Sequence, residues 1–375
     1  MAQRVVPIIA TLIVAGLVIG PVTVVLWRGG GFTALSPADL AALRFTVWQA
    51  FWSAFISVAL AVPVARALAR RSFWGRGTLI SIMGAPFILP VIVAILGLLA
   101  IFGGNGALNL MLGPFGVPKL DIYGAHGVIL AHVFFNLPLA VRLILQGWLA
   151  IPSERFRVAA SLGAPVFRVL EWPMLRRIAP GAFAVIFVIC LGSFAVALTL
   201  GGGPRATTVE LAIYQAFKFD FDLGKAASLS VVQLCLGLVA GLIALFLARG
   251  DMLGAGLDRV VQRWDGSRIL DTVWIGAAAL FLLAPLTAII IAGLPGLFDL
   301  PASIWPAMLR SLIIALGAVI LTMLLAIPLA TRAGEAASLL GISVSGLVLG
   351  TGLFLIVQPF ARPSDVALPV TMLVN

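Results

Sequence analysis

The chain has 375 residues, of which 62% are hydrophobic and only 10% charged, and its mean hydropathy is +1.17. Soluble domains carry roughly a quarter charged residues, so this composition excludes a water-soluble globular protein, and the lack of alternating ten-residue strands excludes a β-barrel. The net charge of +10 is mostly arginine, but no basic stripe is interleaved with exposed aromatics, so no nucleic-acid partner is expected.

Apolar runs of about 20 residues, enough to cross a bilayer, recur along the whole chain. They predict an all-α, polytopic transmembrane helical bundle in the lipid bilayer. Spans are expected over 5–27, 45–68, 79–103, 125–149, 180–200, 227–248, 272–294, 306–331 and 341–359, with a last apolar stretch from Val366 to Asn375. The first run, Val5 to Trp27, is too long for the apolar core of a signal peptide. Cys190 and Cys235 lie inside apolar runs and read as small core residues. Arginines cluster in alternate loops: Arg66, Arg70, Arg71 and Arg76; then Arg155, Arg157, Arg168, Arg176 and Arg177; then Arg249, Arg259, Arg263 and Arg268. The opposite loops hold few. Arginine-rich loops face the cytoplasm, which places the N-terminus there too.

An internal repeat follows the same order. LAVPVARA (60–67) matches LAIPLATRA (325–333), PVIVAILGLLAIF (90–102) matches SGLVLGTGLFLIV (345–357), and VILAHVFFN (128–136) loosely matches ALPVTMLVN (367–375). Six intervening spans give the two copies the same direction, a parallel repeat about an axis along the membrane normal. The expected organisation is a first six-helix repeat over 1–250, a cytoplasmic linker over 251–271, and a second repeat over 272–375 that breaks off after about three and a half helices. A complete protein with about twelve spans is expected from the repeat.

Catalytic constellations are missing from the sequence. The Gly224–Lys225 pair has Phe219 and Ala226 where a phosphate loop needs Gly and Ser or Thr, so no ATPase site of that kind is expected. His126 and His132 do not share a helix face, and no metal site, cofactor or catalytic residue is expected. The spans are nearly free of buried charge, Arg142 being the clearest exception. That argues against a carrier driven by a proton or sodium gradient, which would place acids at mid-membrane.

The stretch IPSERFRVAASLGAPVFRVLEWPMLRRIAPG (151–181) is long, basic and partly apolar. Ala159, Ala160, Leu162 and Phe167 suit a short surface helix, Gly163 a break after it, and Pro173 and Pro180 the return to the membrane. An apolar helix on the arginine-rich side suggests docking to another protein. This loop resembles the EAA loop of the permease subunits of bacterial ATP-binding-cassette importers, which implies their type I permease fold and a coupling helix that docks on a cytoplasmic ATPase dimer. On that resemblance the coupling residues are Arg155, Arg157, Val158, Ala159, Ala160, Leu162, Gly163, Phe167 and Pro173. Arg157 stands where the family has glutamate, and Val158 and Ala159 stand where it has the alanine pair. The better-spelled EAASLLG (335–341) follows the repeat's second helix, where no coupling loop is expected, and reads as a chance match.

A further segment, LGGGPRATTVELAIYQAFKFDFDLGKAA (200–227), with FNLPLAVRLILQ (135–146), resembles the thiamine and thiamine-pyrophosphate importer permeases of Gram-negative bacteria. The resemblance implies an inner-membrane transport subunit that receives thiamine or its phosphates from a periplasmic thiamine-binding protein. Gly201, Gly202 and Gly203, followed by Pro204, leave the fifth span through backbone angles other residues avoid, and are the candidate outer gate. A ferric-iron permease of the same architecture and an ion-gradient carrier are the alternatives.

Overall fold

In the computed structural model, residues 2–203, 206–247, 266–329 and 344–359 are described. Every regular element among them is helical: α1 (Ala2–Arg28), α2 (Pro37–Arg70), α3 (Arg76–Ile82), α4 (Ala85–Ile88), α5 (Val91–Phe102), α6 (Ala107–Leu112), α7 (Ala125–Ala150), α8 (Ser153–Ser161), α9 (Trp172–Leu191), α10 (Ala195–Leu200), α11 (Val209–Gln215), α12 (Leu223–Leu247), α13 (Arg268–Gly293), α14 (Ile304–Leu329) and α15 (Gly346–Val357). Eight helices among the described residues are long and apolar enough to cross a membrane. This is a polytopic helical membrane protein, and each helix satisfies its backbone groups within its own span, as lipid requires. The stretch from Val366, the EAASLLG segment and Pro204 lie outside the described residues.

Four expected spans differ in shape; the ninth, expected over 341–359, is among the described residues the 12-residue α15, shorter than a bilayer crossing needs. The second begins at Pro37, capped by Ser36 and Asp39, which exchange hydrogen bonds. At 34 residues it is about 51 Å long, so it projects beyond a 30 Å hydrocarbon core. The third is broken into α3, α4 and α5, because Pro86 can start a helix but not continue one and Pro90 caps α5. The fifth starts near Phe167 and ends at Leu191, whereas 180–200 was expected. Pro173 stands in its first turn, where a missing N–H costs nothing, and Pro180 lies inside it rather than at the membrane re-entry. Cys190 is buried as expected, but Cys235 is exposed on its helix.

The chain divides into two compact units, each assembled from distant segments. One comprises Met1–Arg44, Thr207–Leu242 and Gly296–Asn375; the other Phe45–Ala206 and Ile243–Pro295. In the first, Val18, Val22 and Val25 of α1 meet Val209 and Ile213 of α11 and Val348 of α15 in one buried cluster. Here α1 crosses α15 closely: a Cβ added to Gly352 would lie 2.4 Å from the Pro21 carbonyl oxygen. In the second, α5 crosses α13 in the same manner, and a Cβ on Gly97 would lie 2.6 Å from the Pro285 carbonyl oxygen. Lipid gives helices no hydrophobic reason to associate, so close backbone approach at small residues supplies the attraction.

Candidate functional site

The protrusion between α7 and α9 follows from local sequence. Ile151 and Pro152 are extended and end α7. Helix α8 then runs for nine residues. Its Phe156 and Ala159, three apart, are buried. Arg155, Val158 and Leu162 form an adjoining, exposed stripe at three- and four-residue spacing. Val158 is 56% and Leu162 75% exposed. Gly163 closes the helix at φ +62°. Its N–H donates to the Ala160 carbonyl at 3.1 Å and the Ala164 N–H to the Ala159 carbonyl at 2.9 Å. This pair of bonds is a Schellman C-cap, which requires a left-handed residue and therefore favours glycine. Arg157 pairs with Glu154 at 3.0 Å on the open surface. The Glu154 carboxyl is held below its ordinary value, first by its own backbone N–H and then by Ser153 and Arg157.

After Gly163 the chain makes a wide π turn over Phe167–Glu171 and enters α9. Of the expected coupling residues, Arg155, Arg157, Val158, Ala160, Leu162, Gly163, Phe167 and Pro173 are exposed, while Ala159 faces inward.

Two residues that sequence reasoning passed over fix this segment. Glu171 is fully buried, and its Oε2 accepts from Arg66 of α2 through Nε at 2.9 Å and through the second guanidinium nitrogen at 2.8 Å. Its Oε1 accepts from Trp148 Nε1 of α7 at 3.3 Å. The Arg66 guanidinium also lies 5.8 Å from the centre of the Phe167 ring, within cation–π range. At the end of α2, Arg70 and the residue after the helix, Arg71, meet Asp271 in the first turn of α13 at 2.8 and 2.6 Å, and Arg71 also donates to the Gly266 carbonyl.

The candidate outer gate lies past a break in the fifth span. Helix α9 stops at Leu191, and α10 begins at Ala195. The break is served by polar groups: Ser193 Oγ lies 2.7 Å from His132 Nε2, and Ser53 Oγ lies 3.2 Å from His132 Nδ1. Gln49 of α2 donates to the Cys190 carbonyl and Asn136 of α7 to the Cys190 Sγ. An interrupted helix is tolerated among apolar spans when side chains re-satisfy its backbone. Gly202 and Gly203 have φ of +67° and +126°, and Gly201 sits against its own helix end. The turn is packed: a Cβ on Gly202 would lie 3.2 Å from Gly124 N and from Tyr123 Cβ, and the Gly124 N–H donates to the Leu200 carbonyl at 2.7 Å.

No family model matches the chain. It is 36% identical to the thiamine transport system permease protein ThiP of Brucella abortus (strain 2308), over 92% of this chain and 69% of that protein. The chain belongs to the thiamine transport system permease family. It is also 43% identical to the Escherichia coli (strain K12) protein of that name, over 84% of this chain. It spans 63% of the Escherichia coli protein's length. A weaker similarity, 27% over 54% of the chain, links it to a probable sulfate transport system permease protein of Helicosporidium. Membership of the family agrees with the resemblance carried by residues 135–146 and 200–227, and the family's proteins are transport subunits. Neither the ferric-iron alternative nor the ion-driven carrier is favoured by these relatives.

Proposed function

We propose that this chain is the membrane-spanning subunit of an ATP-driven importer that moves thiamine and its phosphates inward across the bacterial inner membrane. The observation that carries the reading is its 36–43% identity to thiamine permeases. The exposed apolar face of α8 supports it. In this reading a cytoplasmic ATPase dimer covers Val158, Leu162 and Phe167, and the arginine-rich loops and the N-terminus are cytoplasmic. ATP is hydrolysed in the partner and not in this chain, which carries no phosphate-loop sequence. A periplasmic thiamine-binding protein presents the substrate at the opposite face, beside Gly201–Gly203 and Pro204. The helices rock between outward- and inward-open arrangements as the ATPase closes.

The arrangement of α8 suits this role. A short helix between an extended Pro152 and a left-handed Gly163 can dock as a small rigid body. Its apolar side chains are few, so the interface depends on fit rather than area. The test is co-purification with the ATPase, followed by hydrolysis measured with a thiamine-loaded and an iron-loaded binding protein. Stimulation by the thiamine-loaded protein alone is expected; stimulation by the iron-loaded protein alone would overturn the substrate assignment.

A further inference from the structure

A docking helix tied to the bundle only by its covalent ends would pivot at Pro152 and Gly163 when pulled. Displacement would be absorbed there. From Leu162 to Leu170 the side chains are exposed or half-buried, and Glu171 is the first fully buried group on the return path. We infer that the Glu171–Arg66 pair is the joint that passes displacement of α8 to α2, and that the Asp271 cluster on Arg70 and Arg71 passes it on to α13. The inference rests on reading α8 as the site where the ATPase docks.

The physical case is that this joint is a poor choice for stability alone. A fully buried carboxylate must be desolvated, and a well-packed apolar pair of the same volume is often as stable or more so. What the ion pair adds is direction. Glu171 takes both Arg66 bonds on one oxygen and the Trp148 bond on the other, so the π turn can sit in only one register against α2 and α7. Arg66 also stacks over Phe167, joining the docking surface to the same guanidinium. Arg70 follows one helical turn later as the last residue of α2, with Arg71 next to it. Asp271 meets both at the start of α13, where the helix N-terminus also favours a negative charge. Every group named lies in one compact unit. The arginines thus form a continuous strut along the end of α2, with the docking loop at one end and α13 at the other.

The test uses the full-length protein, co-expressed with its ATPase and reconstituted with the thiamine-loaded binding protein. Co-purification of the ATPase, melting temperature, and thiamine moved per ATP hydrolysed are read for Glu171→Gln, Arg66→Met and the double variant. Each single variant should keep the ATPase bound but move at least tenfold less thiamine per ATP. The double variant, with no lone buried charge, should recover its melting temperature and still transport poorly. Asp271→Asn should show a smaller loss of the same kind. A wild-type transport ratio in the single variants overturns the joint, as does recovery of transport together with melting temperature in the double variant. Failure of the unsubstituted protein to retain the ATPase overturns the docking reading, and the joint with it.

Discussion

The protrusion at α8 and the turn after α10 are both built on left-handed glycine, yet they use it differently. At Gly163 an added Cβ would meet nothing within 4 Å, so glycine is there only for its backbone angle. At Gly202 the angle is left-handed and the space is also taken, by the backbone of Gly124 and by Tyr123. One region holds its shape while presenting apolar side chains outward; the other is pressed against the start of α7. A docking element needs a fixed outline and a free face. A turn that must seal needs contact, and any opening there requires it to be pulled off α7.

This contrast can be broken by substitution. Gly202→Leu should be the most damaging, because left-handed strain of about 1–2 kcal/mol adds to overpacking of about 1–3 kcal/mol. Thermal unfolding of the purified protein should show the loss; an unchanged melting temperature would mean that the turn separates readily from α7. Gly163→Val should cost only the strain, about 1–2 kcal/mol, and Gly163→Asn less, since asparagine tolerates the left-handed region. Equal losses at 163 and 202 would erase the distinction. Leu162→Asp should leave stability within about 0.5 kcal/mol, as for exposed sites generally, while weakening ATPase co-purification at least tenfold. The smallest effect belongs to Glu154. Its carboxyl is depressed below 4.5, so its contribution is present above that value and lost as pH falls through the depressed one. Glu154→Gln should therefore lower the melting temperature slightly at neutral pH and leave it unchanged well below pH 4.5, where the native carboxyl is itself protonated, which a pH series of melts would reveal.

The fold was legible where the bilayer dictates it. Uninterrupted apolar runs place α1, α7, α12, α13 and α14 within a few residues of their expected bounds. The fifth span was misplaced because Arg176, Arg177 and Pro173 read as loop, although a helix that extends past the hydrocarbon carries arginine on its exposed face without penalty. The third was misread because the effect of Pro86 and Pro90 was outweighed by the apolar residues around them. At the candidate site, the break at Gly163 and the exposure of Leu162 followed from local pattern. Glu171 did not: its partner Arg66 is 105 residues away, and Arg66 looked like one more orienting charge. Arg70 and Arg71 were hidden in the same way, since Asp271 lies 200 residues from Arg71. Charge counting assigns a side of the membrane, but it cannot separate a solvated arginine from one committed to a buried acid.

The paired crossings at Gly97 and Gly352 carry a consequence for biogenesis. Helix α5 emerges from the ribosome long before α13, and α1 long before α15. Neither unit can therefore finish packing in the order in which it is synthesised. Early segments must dwell in the bilayer with these contact faces uncovered, and a ribosomal stall or cleavage in the interval would leave both units half-built at once rather than one intact and one missing.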